Sequence, residues 1–200
     1  VGLNIAADPL NYVGYSGVTG GMVIIVGTDP GANSSTGEED VHWYAKQFNL
    51  PLFEPTHIQE IYDTVFEAFE LSESLEIPVM VFVTGLICHN TAPLKPREIT
   101  LKTKKFEFIK NRAKYINVGS RAVINHRDLL EKIVQFGEQQ QGATLYGSGQ
   151  ATTLCITRGN THQHVLQAIE LLELTAEIDV LNVVTVFPIP KTILAQYIQH

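Results

Sequence analysis

The stretch Met22-Val-Ile-Ile-Val-Gly-Thr-Asp-Pro-Gly31 decides the fold of the first half of the chain. Its five apolar residues, 22–26, are followed at once by glycine, aspartate and proline, which are typical of a turn. A short strand that is apolar on both faces is typical of the buried centre of a parallel sheet. The sequence therefore predicts a buried strand with a polar loop at its carboxyl end.

Two further segments complete a strand–helix–strand unit with this strand. Residues 77–84 repeat the continuous apolar run and predict a second buried strand. Between the strands, apolar residues recur at helical spacing over residues 58–71, behind Thr56-x-x-Gln59, which predicts a capping box. Residues 51–54 fit a further short strand. Such crossovers are almost always right-handed and join parallel strands.

A similar α/β pattern resumes in the last quarter of the chain. Residues 152–157 predict a strand, a turn and a helix follow, and residues 178–187 contain the next strand. The intervening residues 93–142 are less regular, and they predict one short helix over residues 128–136.

The composition excludes several classes of protein. The chain has 200 residues, of which 44% are hydrophobic and 18% charged, so a disordered or fibrous chain is excluded. No apolar run is long enough to cross a membrane, and no basic stretch precedes an apolar one at the N-terminus, so we expect no signal peptide. Cys88 and Cys155 are too few to ligate an iron–sulfur cluster within the chain. We therefore expect a cytoplasmic protein without a membrane partner.

The net charge of −7 is distributed unevenly along the chain. Residues 1–94 carry twelve acids and one base, whereas residues 95–114 carry eight bases and two acids. This change of sign predicts a domain boundary near Lys95. No nucleic acid-binding motif accompanies the basic stretch, so we favour a solvated basic linker over residues 93–142 and expect no nucleic acid partner.

Several blocks of sequence resemble one enzyme family. In the first half they are Val1-Gly-Leu-Asn-Ile-Ala-Ala-Asp-Pro-Leu10, Tyr15-Ser-Gly-Val-Thr-Gly-Gly-Met-Val-Ile-Ile-Val26, Asp29-Pro-Gly31, Ser34-Ser35, Glu39-Asp40, Tyr44-Ala-Lys46 and Ala68-Phe-Glu-Leu-Ser72. Weaker blocks follow at Leu171-Leu-Glu173 and Val184-Thr-Val-Phe-Pro-Ile-Pro190. The chain resembles the thiamine-diphosphate-dependent 2-oxoacid:ferredoxin oxidoreductases, and most of all the α subunit of the indolepyruvate type.

This resemblance implies an α/β fold in three parts. Residues 1–92 would be the C-terminal part of the thiamine-diphosphate-binding domain that holds the pyrimidine ring, built on a parallel sheet. Residues 93–142 would be the basic linker, and residues 143–200 would begin a domain like the C-terminal α/β domain of transketolase. The chain would then be an internal fragment, which agrees with its start at Val1 rather than at methionine.

The resemblance also implies a reaction and its partners. The family oxidatively decarboxylates a 2-oxoacid, here of the indolepyruvate or arylpyruvate type, to an acyl-CoA and passes the electrons to ferredoxin. The expected cofactors are thiamine diphosphate with Mg2+, 4Fe-4S iron–sulfur clusters outside this segment, and coenzyme A as co-substrate. A partner β subunit or domain would supply the diphosphate site and hold most of the Mg2+, and we expect an oligomer. The fragment alone would be inactive.

Candidate site residues follow strands, because ligands of open α/β sheets bind at the carboxyl ends of strands. On the family pattern, five side chains face cofactor or substrate: cofactor contacts Asp29, Ser34 and Ser35, and substrate contacts His42 and His89. The family's glutamate that protonates the aminopyrimidine lies upstream of Val1. The sequence therefore assigns neither that catalytic residue nor a metal ligand within the chain.

These assignments have plainer alternatives. His42 would otherwise be a solvated helix residue, and the two serines would only shape a turn. We expect residues 38–40 to cap the following helix rather than to bind a metal ion. His162 and His164 are two apart on a helix and are expected at the surface.

Two departures from the family pattern bear on function. Where family members carry arginine, this chain has His42, and where they carry another arginine shortly before a histidine, it has Leu86. Losing two cations beside an anionic substrate changes which acid is accepted, or removes activity, because arginine holds a carboxylate bidentately. The alternatives are therefore a non-catalytic interaction or assembly paralogue of the same fold, and a transketolase relative without electron transfer.

Overall fold

The computed structural model describes residues 2–29, 31, 37–99, 108, 110–139 and 142–198. The helices in them are α1 (Gly2–Ser16), α2 (His42–Phe48), α3 (Ile58–Leu75), α4 (Gly85–Cys88), α5 (Arg112–Tyr115), α6 (Ser120–Gln139), α7 (Thr161–Leu171) and α8 (Lys191–Ile198). The strands are β1 (Val23–Thr28), β2 (Leu52–Phe53), β3 (Val79–Thr84), β4 (Ala143–Tyr146), β5 (Thr153–Thr157), β6 (Ile178–Val183) and β7 (Thr185–Phe187). Among these helices none combines the length and the apolar character that a membrane span requires.

Four strands form the first sheet, in the order β1-β3-β2-β7. β1 and β2 both run parallel to β3, with Val23 level with Val79 and Leu52 level with Met80. Every residue of β3 is buried, as in a strand covered on both faces. The predicted strand–helix–strand unit is confirmed, since α3 connects two neighbouring parallel strands.

Helices cover both faces of this sheet, and the alternation of β3 separates the two cores. Met80 and Phe82 point to the face covered by α1, α2 and α6, where Phe48 is fully buried. Val81 points to the opposite face, where it packs with Ala68 of α3. Apolar runs on both faces of one strand therefore reflect a sheet between two helical layers.

Residues 178–187 form two strands that belong to different sheets. Ile178–Val183 is the central strand of a second sheet, β4-β6-β5, in which β4 is antiparallel and β5 parallel to it. Thr185–Phe187 instead pairs antiparallel with β2 at the edge of the first sheet. The expected strand is present as β6, but the sequence did not predict that a second strand follows, because apolar residues continue across Val183 and Val184, where the chain changes sheets. This crossing joins the two sheets.

Helices α1 and α6 also differ from the sequence predictions. α6 has 20 residues, rather than the nine predicted over 128–136. Its buried residues, Leu129, Ile133 and Phe136, begin at its tenth residue, so its first nine residues, none of which is buried, give no periodic signal. α1, which contains Pro9, and strand β4 were not predicted.

The capping box predicted at the start of α3 pairs Thr56 with the wrong residue. Thr56 donates from its backbone N–H and its hydroxyl to Glu60 Oε2, at 2.5 and 2.8 Å, instead of pairing with Gln59. Glu60 also accepts from Asn182 of β6 at 3.4 Å, so it connects the helix start to the second sheet.

His162 is fully buried, so its predicted surface position is wrong. Its Nδ1 lies 2.8 Å from Thr157 Oγ1, and its ring packs 4.6 Å from the ring of Tyr146. Burial lowers the pKa of His162 and favours its neutral form. The sequence pattern placed two histidines on α7 without showing which face of that helix packs on β5 and β6.

The start of the basic stretch lies against the acidic helix α3. The Lys95 N–H donates to Gln59 Oε1 at 2.8 Å, and Arg97 Nε donates to Asp63 Oδ1 at 2.8 Å. Residues 100–107 and 109, which include much of the predicted basic linker, lie outside the described residues.

The core of the first sheet predicts a large difference between two phenylalanines. Phe48 has no exposed surface, whereas Phe108 is 96% exposed. We expect Phe48→Ala to lower the free energy of unfolding by about 3–5 kcal/mol, because it leaves a cavity in the packed core. Phe108→Ala is the control, with a change within about 0.5 kcal/mol in the same denaturant titration. Equal changes in the two variants would contradict this packing.

Candidate functional site

The carboxyl ends of β1 and β3 lie side by side, with Thr28 level with Thr84. Gly27 is exposed, and a Cβ added there would have nothing within 4 Å. Gly85 begins α4 directly after β3, and a Cβ there would lie 3.6 Å from Asp29 Oδ1. Small residues thus leave this edge of the sheet open to a ligand.

One buried hydroxyl at this edge is unpaired. Thr84 Oγ1 has no hydrogen-bond partner among the described residues, and it does not cap α4. A cavity of about 890 Å3 extends along β1, the strand next to β3, and includes Gly27, Thr28 and Asp29 in its wall. A buried polar atom without a partner is uncommon and indicates a place for a ligand or an ordered water.

The structure brings only some of the predicted site residues to this edge. Asp29 follows β1 directly, and His89 is exposed at the end of α4, where its N–H donates to Gly85 O at 3.2 Å. Ser34 and Ser35 lie outside the described residues, so their contact with a cofactor stays a prediction.

His42 begins α2, and carboxylates hold both of its ring nitrogens. Nδ1 lies 2.5 Å from Asp40 Oδ1, and Nε2 lies 3.0 Å from Glu54 Oε2. The ring stacks on Phe82 with 4.4 Å between centroids. Its side chain is only 21% exposed, so His42 is a fixed member of a polar cluster rather than a solvated helix residue.

Glu54 is the buried centre of this cluster and has 5% exposure. Its Oε2 accepts from His42 and also from Arg158 Nη1 at 3.0 Å. Arg158 lies in the turn after β5, so the ion pair connects the first sheet to the second. We name Asp40, His42, Glu54 and Arg158 the His42 cluster.

Gly159 makes room for the buried carboxylate. A Cβ at this position would lie 2.3 Å from Glu54 Oε1, and the residue has φ +53°, which side chains disfavour. Glu54 is the last residue of the predicted strand 51–54, and Arg158 follows the predicted strand 152–157 directly, but neither was expected in the site. A charged residue at a strand's carboxyl end was the available signal.

The charges of the cluster stabilise one another. Burial alone would lower the pKa of His42, but the hydrogen bonds to Glu54 and Asp40 outweigh it and raise the pKa. The same hydrogen bond lowers the pKa of Asp40. The contact between His42 and Asp40 therefore favours the charged form of both side chains.

The acidic residues before α2 have separate contacts. Asp40 Oδ1 accepts the His42 backbone N–H at 3.1 Å, which is the expected role of an acid at a helix start. Glu39 Oε1 accepts from Asn4 of α1 at 2.8 Å. Within the described part of the chain, no three histidine, cysteine or acidic side chains form a group that could hold a metal ion.

A cleft of about 760 Å3 opens from the His42 cluster between α2, α6 and the β7–α8 connection. Its wall is largely apolar and includes Trp43, Leu130, Ile133, Val134, Val186, Phe187 and Ile189. The charged groups that line it are Asp40, Glu138, Lys46, Arg158 and Lys191, together with His42. Lys46 Nζ lies 5.3 Å above the ring of Phe187.

A protein-family comparison identifies the segment that contains these features. The family model described as pyruvate flavodoxin/ferredoxin oxidoreductase, thiamine diphosphate-binding, matches residues 22–148. The chain belongs to this family. The family expected from the sequence blocks is confirmed, as is an α/β fold with the parallel sheet of a thiamine diphosphate-binding domain.

Curated relatives of the family match the whole chain. The indolepyruvate oxidoreductase subunit IorA of Pyrococcus abyssi is 33% identical over 207 residues, covering 100% of this chain and 32% of that protein. The subunit of the same name from Methanothermobacter marburgensis is 31% identical over 202 residues, again 32% of its length. The chain thus spans about a third of the length of these relatives.

A solved structure shares the fold. It is 2-oxoglutarate:ferredoxin oxidoreductase from Magnetococcus marinus with 2-oxoglutarate, coenzyme A and succinyl-CoA bound. Its TM-score is 0.72 over 98% of this chain and 42% of that chain, at 15% sequence identity. At this identity the likeness concerns the fold alone.

The geometry of this family member predicts that Glu54 sets the charge of His42. We expect Glu54→Gln to lower the pKa of His42, measured by an NMR titration of its ring. Burial lowers this pKa, and the variant removes the carboxylate that raises it. Glu138→Gln is the control, since Glu138 also lines the cleft but does not contact His42. An unchanged pKa in Glu54→Gln would contradict the assigned cluster.

The sign of the pH dependence follows from the raised pKa. His42 stabilises the fold fully below about pH 6.5, the ordinary value for histidine, and this contribution is lost as the pH rises through its folded pKa. The loss should be smaller in Glu54→Gln.

Gly159 provides an independent test of the space around Glu54. Gly159→Ala and Gly119→Ala both place a side chain at similar φ, +53° and +59°, but nothing lies within 4 Å of the latter. We expect about 1–2 kcal/mol of destabilisation for Gly119→Ala from the backbone alone. Gly159→Ala should cost more, and it should also change the pKa of His42. Equal destabilisation with an unchanged pKa would contradict the close contact.

Proposed function

We propose that the chain is part of an oxidoreductase that oxidatively decarboxylates a 2-oxoacid of the indolepyruvate or arylpyruvate type. The product would be an acyl-CoA, and the electrons would pass to ferredoxin. Membership of the family supports the reaction class, and the relatives named indolepyruvate oxidoreductase support the substrate type. The observation that carries the proposal is the open edge beside the unpaired Thr84 hydroxyl, within the matched segment.

The residues at this edge fit thiamine diphosphate. Gly27 and Gly85 leave space for a ring to approach the backbone, and the Thr84 hydroxyl offers a hydrogen bond. We propose that Asp29, together with Ser34 and Ser35, also contacts the cofactor. When bound, the cofactor supplies the nucleophilic carbon that attacks the keto group of the acid. A glutamate upstream of Val1 would activate it.

The two predicted substrate residues would act differently. Both ring nitrogens of His42 are engaged by carboxylates, so His42 would act on a substrate carboxylate through its positive charge. His89 is exposed and its ring nitrogens are not bonded to any other described residue, so it would donate directly. His42 lies in the connection between β1 and β2, and His89 follows β3 after the short helix α4. Both connections start at carboxyl ends of strands of the first sheet.

The rest of the enzyme would complete the site. We propose that a partner β subunit or domain holds the diphosphate and most of the Mg2+, within an oligomer in the cytoplasm. The 4Fe-4S clusters would lie outside this segment, coenzyme A would accept the acyl group, and ferredoxin would accept the electrons. Within the chain, we propose boundaries at residues 92 and 143, with residues 143–200 beginning a domain like that of transketolase.

One observation favours the second candidate, a non-catalytic interaction or assembly paralogue. His42 has no free ring N–H toward a ligand, and Leu86, which is 56% exposed, stands where the family pattern has a cation. A paralogue of this kind would retain the fold and the partner subunit without turnover.

Cofactor binding tests the proposal. We expect the full-length protein with its partner subunits to bind thiamine diphosphate and Mg2+ in a calorimetric titration. Thr84→Val should weaken binding about three- to tenfold, because it removes one hydrogen bond. Thr144→Val, an exposed position on β4, is the control.

Two outcomes would contradict the proposal. Absence of binding in the wild-type assembly would contradict the enzyme assignment and leave the paralogue. Equal affinity of wild type and Thr84→Val would contradict the proposed cofactor edge.

A further inference from the structure

Arg158 has hydrogen-bond donors that the His42 cluster does not use. Its Nη1 donates to Glu54, and the structure gives it no second acceptor among the described residues. A guanidinium carries five N–H groups in a planar fork, so donors remain for a ligand. The side chain is 45% exposed, and it lines the cleft. His42, by contrast, has no ring nitrogen left to donate.

The buried Glu54 carboxylate fixes the direction of this fork. It is 5% exposed and is shared by Arg158 and His42, so Nη1 of the guanidinium is anchored on Glu54 while Arg158 lines the cleft. A guanidinium that is already oriented loses less conformational freedom when it binds a carboxylate.

The cleft beside Arg158 fits an apolar group. Its volume of about 760 Å3 lies within the range of small-molecule sites. Trp43 lines it and is 71% exposed, so an apolar ligand would remove a large aromatic surface from water.

The charges around the cleft favour an anion. Asp40 is paired with His42, which leaves Glu138 as the other acid of the wall. Arg158 is paired with the buried Glu54. Lys46 and Lys191 still outnumber Glu138 on the wall, although the whole chain carries a net charge of −7. A ligand with an apolar body and one anionic head matches both parts of this surface.

We propose that Arg158 is a specificity-determining residue that binds the carboxylate of an acid whose apolar remainder lies in the cleft. Glu54 is a positioning residue for it. This rests on the proposed function in one respect, namely that the acid would be the 2-oxoacid substrate. The assignment of Arg158 brings the second sheet into substrate recognition, because its turn follows β5.

Binding of a non-reacting acid tests this proposal separately from turnover. The probes are 3-phenylpropionate and its neutral analogue 3-phenylpropan-1-ol, titrated calorimetrically into the full-length protein. We expect the acid to bind more tightly than the alcohol. Arg158→Gln should lower the affinity for the acid at least about tenfold, because one charged pair is lost, and should leave the affinity for the alcohol unchanged. Arg158→Lys should have an intermediate effect, since it keeps the charge and loses the fork.

Lys191→Gln is the matched control, because it removes the same charge from another part of the cleft. We expect its affinity for the acid to change by less than about threefold. Unchanged alcohol binding in each variant shows that the cleft is still folded.

Three results would overturn the inference. The first is equal affinity of the wild type for the acid and the alcohol. The second is an equal loss of affinity for the acid in Arg158→Gln and Lys191→Gln. The third is a loss of affinity for the alcohol together with the acid in both Arg158 variants. If thiamine diphosphate binds normally while Arg158→Gln has no effect, only this inference fails. If the acid binds through Arg158 while thiamine diphosphate does not bind, the proposed function fails and the carboxylate site remains.

Discussion

A buried carboxylate, that of Glu54, constrains the structure around the candidate site. Removing an ionised carboxylate from water costs several kcal/mol unless charged partners compensate. Here His42 Nε2 and Arg158 Nη1 both lie 3.0 Å from the same oxygen. The Glu54 backbone is fixed as well, because its N–H donates to Val184 O at 2.8 Å. The same carboxylate fills the space that a side chain at Gly159 would need.

The partners of Glu54 come from distant parts of the chain, and this determines where a site can form. His42 follows the loop after β1, and Arg158 follows β5 in the second sheet. The change of sheet at Val184 brings these segments together, since β7 pairs with β2 directly beside Glu54. The polar cluster and the apolar cleft are therefore products of how the two sheets meet. Ligand recognition would depend on the same contact.

Local pattern was sufficient to predict much of the first sheet. The apolar runs of β1 and β3 and the helical spacing of α3 indicated parallel strands around a crossover, and the sequence blocks indicated the family. The patterns failed where long-range packing decides. His162 is buried because α7 packs on β5 and β6. Residues 178–187 divide into two strands because β7 pairs with β2 of the other sheet. Neither contact leaves a local periodic signal.

The candidate site was predictable only in part for the same reason. Asp29 and His89 were proposed because they follow predicted strands and match the family pattern, and His42 was proposed because it stands where the family has arginine. Glu54 and Arg158 are 104 residues apart, and only the folded chain shows that they pair. The structure also changes the interpretation of His42, which is not a solvated helix residue but an imidazole held by two carboxylates.

A double-mutant cycle of Glu54→Gln and Arg158→Gln, measured as free energies of unfolding, tests the central claim most directly. If this ion pair joins the two sheets, the cycle should give a coupling energy of at least about 1 kcal/mol, which decreases in a Gly159→Ala background. Additive effects of the two substitutions, with no coupling, would show that Glu54 does not hold the sheets together.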